Sequence, residues 1–524
     1  MDRQLKILTY FVFVLLALLI ALPVIYTYSL VIFQDSHFTE NIQKIDLQSI
    51  KLLFKSILWS GFVAVLSTLI GGLLGFLLYK TPLKYKTIYK LLLLMPLILS
   101  PYIWAVAWQD FFYLMFNNSH LLSSVAGVIW VQTLIYTPLA ILIIGNALSN
   151  IDKSLEETAL TMSSPKNTIL KISLPLVKPA FWTAFVLIFI FSLSEFSVPA
   201  LFGVKVFTTE IFTNFSAFYN YNLAIIQSTL LIIISLWLLW TEAHYLSKSS
   251  FLSVGNRGNT GYLFIFKKQQ INIPVILNFW IVLSVLLPFF VLSFQALKSG
   301  YQMVLKAFQI LRPAFIDSFI WAATGSIISI IIALIFSYFS WHPNRKQQPL
   351  IRWTNLILLV SFGLPAMVYG ISLIYFYNRP VLGWIYSSAA ILVIGFVGKY
   401  GFIALKMLEN ATGQIPFSLD EAAQLTGASI FKRFKTIYLP LIMPVILAVF
   451  ILNFILMSND LAIPIMTFPP GTQPVSVKVF TMMANASQSL TSTMIFVFFA
   501  VTLSAVSLLY LILKNFMIPK HVHC

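Results

Sequence analysis

Charge is what this sequence has least of. Asp, Glu, Lys and Arg make up 9% of its 524 residues, against 59% apolar ones, and the mean hydropathy is +0.90. A water-soluble domain carries roughly a quarter charged residues, so this composition points away from a soluble domain. Cysteine is nearly missing as well. Cys524 stands alone, which rules out a disulfide framework. The ending "HVHC" offers three soft donors, but it reads as a frayed terminus rather than a metal site, and its last-residue Cys is no prenylation box. No G-x-x-x-x-G-K-[ST] stretch occurs. "GNRGNTG" is Gly-rich but lacks the Lys-Ser/Thr pair, so nothing here cradles a nucleotide. The six His are scattered, and no catalytic or metal-ligating constellation stands out. These absences argue against an enzyme and against a cofactor or metal bound by this chain. They point to a conduit.

What the chain has is apolar runs. About 20 such residues cross a ~30 Å hydrocarbon core, and runs of that kind fall at 7–28, 57–79, 91–109, 124–147, 180–202 and 226–247, then at 273–295, 315–340, 354–376, 386–408, 441–464 and 491–514. The first follows Arg3 and Lys6, lacks a small-x-small cleavage site and reads as a retained span. The expected fold class is therefore an all-α polytopic membrane protein with about 12 transmembrane helices. A net charge of +17 would suggest nucleic acid for a soluble protein, but here lipid is the simpler partner. With a cytoplasmic N-terminus, the inner side, counting Lys514 at the end of the last span, holds 22 Lys and Arg and the outer loops 9, as the positive-inside rule requires. Both termini are then cytoplasmic.

The chain is written twice. Ser56 and Trp59 match Ser318 and Trp321 at an offset of 262. Pro101 matches Pro365 at 264, as Tyr136, Asn146 and Glu157 match Tyr400, Asn410 and Glu421. Pro175 and Pro199 match Pro440 and Pro464 at 265, so the first copy has lost one residue between Ser163 and Pro175. Six spans per copy give both the same topology, a parallel repeat about an axis along the membrane normal. The expected units are 1–51 (first helix and outer segment), 52–247 (first repeat), 248–272 (cytoplasmic linker), 273–313 (seventh helix and outer loop), 314–515 (second repeat) and 516–524 (tail).

Two polar stretches interrupt the apolar text at equivalent places, "LEETALTMSSPKNTILKISLP" and "DEAAQLTGASIFKRFKTIYLP". In the second, Ser418 and Glu421 have capping-box spacing, acidic residues fill the first turn, and Gly427 ends or turns the helix. A second short helix resumes at Ile430, and Pro440 marks the start of the next span. Two amphipathic helices on the cytoplasmic side suit either the lipid interface or a soluble partner.

The second stretch resembles the EAA loop of binding-protein-dependent ABC importer permeases, E-A-A, three residues, Gly, nine residues, I-x-L-P. Glu421, Ala422, Ala423, Gly427, Ile437 and Pro440 fill that pattern. The first copy keeps Glu157, Ala159, Ile172 and Pro175, but has Thr158 for Ala and Ser163 for Gly. The resemblance covers both halves and implies a type I importer permease fold with both ATPase-coupling loops in one chain. It implies a cytoplasmic ABC ATPase, as a homodimer holding ATP and Mg, and an extracytoplasmic substrate-binding protein. No second permease subunit is required, and the location implied is a bacterial inner membrane. "SPYIWAVAW", "SEFSVPALFGVKVFTTEIF" and "PPGTQPVSVKVF" look most like the fused permeases that import ferric iron, with thiamine, phosphonate or polyamine permeases as alternatives.

Ionisable groups inside spans are functional candidates. Glu195 and Asp460 stand at equivalent positions, each four residues before a Pro, and attract a cation, pair with Lys399, or reach headgroup water at an outer helix end. Lys399 alternatively satisfies a buried carbonyl or snorkels. Tyr102, after Ser100-Pro101, and Pro365 mark unwound backbone along a path or Pro-kinked packing. An ion-gradient-driven secondary transporter also has twelve spans in parallel halves, but the loop after span two, "KTPLKYKTIYK", lacks the G-x-x-x-D-R pattern of that class.

Overall fold

The computed structural model describes residues 3–33, 46–246, 263–264, 272–341 and 349–517, and no strand occurs among them. The first half runs α1 (Ile7–Leu30), α2 (Leu47–Lys80), α3 (Lys86–Ile98), α4 (Pro101–Phe116), α5 (Val125–Ser149), α6 (Lys153–Met162), α7 (Pro165–Ser194), α8 (Phe207–Ser216) and α9 (Tyr221–Leu246). The second half repeats that order as α10 (Ile273–Lys298), α11 (Tyr301–Trp341), α12 (Pro349–Gly363), α13 (Ala366–Tyr377), α14 (Ala390–Thr412), α15 (Ser418–Leu425), α16 (Ile430–Asn459), α17 (Val475–Asn485) and α18 (Gln488–Met517). The expected linker and the "HVHC" tail lie almost wholly outside the described residues.

Ten of these helices are long and apolar enough to cross a membrane alone, and α3–α4 and α12–α13 qualify as pairs bent by 97° and 110°. Each pair makes a single crossing. Lys80, at the end of α2, bonds Glu156 just beyond the end of α5, so α2 and α5 finish at one face. α5 can begin at the opposite face only if α3–α4 carries the chain across. Trp341, ending α11, likewise donates to Ile415 O beyond the end of α14 (3.0 Å). Twelve candidate crossings follow among the described residues, as the sequence predicts.

The expected spans at 91–109 and 354–376 are each broken by those bends, at the two prolines that the sequence offered as unwound backbone or Pro-kinked packing. Pro101 and Pro365 supply no N–H, and Ser100 (ψ 141°) and Pro365 (ψ 133°) are extended, so the helix stops and restarts in a new direction. Spans five and eleven are also shifted. They occupy Pro165–Ser194 and Ile430–Asn459 rather than 180–202 and 441–464, because Glu195 and Asp460 take extended backbone (ψ 124° and 138°) and stop each helix. Nor does Pro440 open a new helix. α16 passes through it unbroken, so the second short helix of each polar stretch is the start of the following span.

A wide turn explains how. π-helical turns occupy Ile169–Ser173 and Phe434–Tyr438, and also Ala17–Ala21 and Val282–Leu286. Each ends two residues before a proline: Pro175, Pro440, Pro23 and Pro288. The five-residue hydrogen-bond step takes up the register that the missing proline N–H would break.

Small residues let the helices approach. A Cβ on Gly71 of α2 would lie 2.4 Å from Ala140 Cβ and 2.9 Å from Thr137 O of α5, so only Gly allows that contact. Phe54, Phe62, Leu69, Trp237 and Ile320 point outward, as lipid-facing residues do. The two halves also clasp each other. Tyr377 OH of α13 donates to Leu19 O of α1 (3.0 Å), and Thr27 Oγ1 of α1 to Ser372 O of α13 (3.3 Å). In the mirror arrangement, α10 packs along α4. Each half's first helix embraces the other half's bent span.

Candidate functional site

The two polar stretches form α6 and α15 with the short starts of α7 and α16. α15 begins at Ser418 itself, one residue earlier than the capping box requires. Phe417 holds the cap position without a side-chain bond, and its carbonyl takes the amides of Asp420 (2.9 Å) and Glu421 (3.2 Å). The expected Ser418–Glu421 box is therefore not made, and Asp420 and Glu421 still fill the first turn. The end of α15 is as expected. Gly427 has φ +75°, its N–H bonds Gln424 O (3.0 Å), and Ala428 N–H bonds Ala423 O (3.2 Å), a Schellman closure. α6 ends differently: Ser163 is extended (φ −151°) and leads directly to Ser164, whose Oγ caps Asn167 N (3.4 Å). Ser429 makes the same cap to Lys432 N (3.4 Å). The residue lost from the first copy is thus the one that the left-handed Gly turn needs.

The acid before each motif Glu faces inward. Glu156 Oε2 pairs with Lys80 Nζ (2.6 Å) with both side chains fully buried, and its Oε1 accepts from Ser173 Oγ (2.8 Å). Asp420 pairs with Arg433 (2.5 Å), also buried. Sequence reasoning missed both, although the signal was present, since Glu156 and Asp420 are equivalent at the offset of 264. With these acids turned in, the motif residues are left outside. Glu157 is half exposed and paired with Lys153 (3.2 Å). Glu421, Ala422, Ser163, Gly427, Pro175 and Pro440 are exposed, and Ala159, Ala423, Ile172 and Ile437 are partly so. Around them Leu155, Leu419 and Phe431 are exposed, and Met162 and Leu425 reach 86% and 90% exposure.

A second constellation lies deep in the bundle. Glu195 Oε1 accepts from Ser197 N (2.7 Å) and Ser197 Oγ, and Oε2 accepts from Tyr136 OH (3.2 Å). Asp460 Oδ1 accepts from Ala462 N (3.0 Å), and Tyr400 stands within electrostatic reach of it. Supporting bonds repeat. Ser56 Oγ accepts from Phe207 N (2.9 Å) as Ser318 Oγ does from Val475 N (2.8 Å), and Thr208 and Ser476 hydroxyls donate to the carbonyls of Glu195 (3.2 Å) and Asp460 (2.6 Å). Tyr136 is the twelfth of 25 residues in α5 and Tyr400 the eleventh of 23 in α14. The carboxylates beside them therefore sit at mid-depth, not at an outer helix end. The halves meet here, with the Phe191 ring on Tyr136 (6.2 Å) and edge-on to Phe362 of the other half (5.7 Å).

Lys399 does not hydrogen-bond to either carboxylate. Its Nζ donates to Phe362 O (2.7 Å) and Leu364 O, carbonyls released where α12 ends at the bend, so the carbonyl role is the one realised. Trp104 Nε1 closes the first half's bend on Pro96 O (3.0 Å). Tyr102 is fully buried edge-on to Phe480 (6.3 Å), and its hydroxyl makes no hydrogen bond among the described residues. A small cavity beside Glu195 is lined by Ser56, Ser60, Gln132 and Ser192.

Residues 341–520 match the family described as "Binding-protein-dependent transport system inner membrane component". The ferric transport system permease protein FbpB of Actinobacillus pleuropneumoniae is 24% identical over 438 residues, 78% of this chain and 63% of that protein, so this chain spans just under two thirds of it. The Fe(3+)-transport system permease protein FbpB 2 of Haemophilus influenzae is 24% identical over 440 residues, covering 83% of this chain and 85% of that one. The trehalose/maltose transport system permease protein MalF of Thermococcus litoralis is 28% identical over 203 residues, 34% of this chain and 65% of its own. With a helical, twice-written bundle and paired loops at one face, the chain matches the inner membrane component of binding-protein-dependent transport systems over 341–520, and over most of its length it is similar to ferric transport system permeases.

Proposed function

We propose that this chain is the whole transmembrane conduit of an ATP-driven importer of ferric iron in a bacterial inner membrane, with both termini in the cytoplasm. Permeases of this family work with an ATPase and a substrate-binding protein. Here a cytoplasmic ATPase pair, holding ATP and Mg, grips α6 and α15. A binding protein delivers iron from outside, and no second permease subunit is needed. The observation that carries this reading is the pair of loops. Buried Glu156–Lys80 and Asp420–Arg433 pairs lock each helix to the bundle, while Glu157, Glu421, Met162 and Leu425 are left exposed among the described residues. Such a helix fits a groove on a soluble partner.

ATP-driven closure of the ATPase pair draws α6 and α15 together, and α7 and α16, joined to them by short turns and by the buried Glu156–Ser173 and Asp420–Arg433 contacts, move as levers. The energy of that shift comes from the difference in ATPase affinity between the two states. The path runs between the halves past Tyr102, Glu195, Lys399 and Asp460. Iron as cargo is supported by the names of relatives that align over most of this chain. The test is Glu157→Lys combined with Glu421→Lys. The variant inserts normally but loses co-purification of the ATPase and uptake of radiolabelled ferric iron. Wild-type recovery of the ATPase would refute the coupling role, and wild-type uptake of thiamine, a phosphonate or a polyamine without iron would refute the cargo.

A further inference from the structure

Two carboxylates lie at mid-depth in this bundle without a matching pair of cations. Among the described residues no ion pair engages Glu195 or Asp460. Lys399 is within electrostatic reach of Asp460, but its hydrogen bonds go to the carbonyls of Phe362 and Leu364. One cation therefore faces two carboxylates in a low-dielectric place, where an unbalanced charge is unfavourable. Glu195 also stands within reach of Asp460 and of Tyr400, so the four oxygen-bearing groups share one neighbourhood across the two halves. Tyr136 OH is already on Glu195 Oε2. Asp460 Oδ2 is buried and takes no hydrogen bond among the described residues. Neighbouring oxygens are spare too. Asn459 Oδ1 and Ser194 Oγ, at equivalent positions beside the two carboxylates, are both buried and have no hydrogen-bond partner among the described residues.

Carboxylate and phenol oxygens are hard donors. They select hard metal cations over soft ones, and a ligand must give up its proton to bind. A phenol does so readily only for a strongly Lewis-acidic ion.

We propose that Glu195, Asp460, Tyr136 and Tyr400 form a transit site between the halves for a hard, trivalent metal cation, held by two carboxylate and two phenolate oxygens. The site deepens the iron-import reading and rests on it for the identity of the cargo. On binding, each phenol O–H breaks, an O–metal bond forms in its place, and the proton leaves to water, so the two carboxylates and two phenolates together outweigh the ion's charge by one. Lys399 supplies the balancing positive charge. No electron moves. Release follows when the halves rock apart and the four donors no longer converge.

The test uses the full chain with its ATPase in detergent, both nucleotide-free and trapped with ADP–vanadate, titrated with ferric nitrilotriacetate. The wild type develops the visible absorption of phenolate-to-iron charge transfer, and gallium(III) competes it away. Tyr136→Phe and Tyr400→Phe each weaken binding by about tenfold or more, and the double variant shows no band while still co-purifying with the ATPase. A wild type without the band in either state, or a double variant that keeps it, overturns the site. Uptake in proteoliposomes separates the two ideas. Iron uptake without the band removes the site and leaves iron import standing, whereas the band without uptake keeps the site and removes iron import.

Discussion

At the residue scale, Lys399 shows how a cation in a membrane span can serve structure before transport. A helix bent by 110° at Pro365 leaves carbonyls that lipid cannot satisfy. Lys399 reaches back and takes two of them, Phe362 O and Leu364 O. The neighbouring glycine belongs to the same arrangement. A Cβ on Gly398 would lie 2.1 Å from Tyr369 OH, so the ring of α13 can sit against α14 only because that position is bare. Replacing Lys399 by Met strands both carbonyls. We expect a loss of about 2–4 kcal/mol, read as a lower thermal unfolding midpoint in detergent. Lys406→Met is the control, since that lysine is one-third exposed, pairs with Glu409 (2.8 Å) and lies over the Phe402 ring (5.7 Å), contacts near the surface that contribute about 0–1 kcal/mol. Equal midpoints for the two variants would show that the bend does not depend on Lys399.

At the scale of elements, the two coupling helices are tied to different spans. α6 is tied through Glu156 to Lys80 at the end of α2 and to Ser173 in α7. α15 is tied through Asp420 to Arg433, in the opening turn of α16. Through these acids the first copy links its handle to two spans and the second to one, although Trp341 of α11 also packs edge-on against Phe417 at the cap of α15 (5.5 Å). Breaking a fully buried pair from one side leaves a lone charge and costs about 3–5 kcal/mol, whereas removing both partners costs less. Lys80→Met should therefore destabilise strongly and lower ATP-dependent uptake. Adding Glu156→Leu should recover part of the stability but not the uptake, because the tie to α2 is gone. A double variant less stable than Lys80→Met alone would contradict the pairing.

Much of this level was legible beforehand. The repeat offset located both loops, Gly427 announced its left-handed turn, and Pro101 and Pro365 marked the bends. What escaped was whatever depends on neighbours far along the chain. Ser418 and Glu421 have capping-box spacing, but Pro416 and Phe417 begin the helix one residue early and the carboxylate next door turns to Arg433. Asp460 and Glu195 were visible as span acids. Their mid-depth location was not, because a window of hydropathy runs straight over the point where each carboxylate stops its helix. The π turns escaped too, though each sits at a fixed distance before a proline, which offers a rule for reading such helices.

At the scale of the whole molecule, the swapped first helices make the halves dependent on each other. α1 lies on α13, and α10 on α4. A chain cut within 248–262 and co-expressed as two pieces should still assemble, co-purify in detergent and transport. The pieces expressed singly should not accumulate, since each would expose the bent span that the other covers. Recovery of either piece alone at full yield would mean that the clasp contributes little. Glu195 and Asp460 fit the same picture, because the place they occupy exists only where the halves come together.

The crossing of α1 and α10 also bears on ancestry. In a forebear made of two identical, separate chains, the same exchange of arms would already have held the pair in register. Fusion then required only a tether from the end of α9 to the start of α10, with no rearrangement of the bundle. Once joined, the duplicates were free to drift apart, since neither had to mate with a copy of itself. Ser163 in place of a glycine, and Lys80 doing for α6 what Arg433 does for α15, are the marks of that freedom.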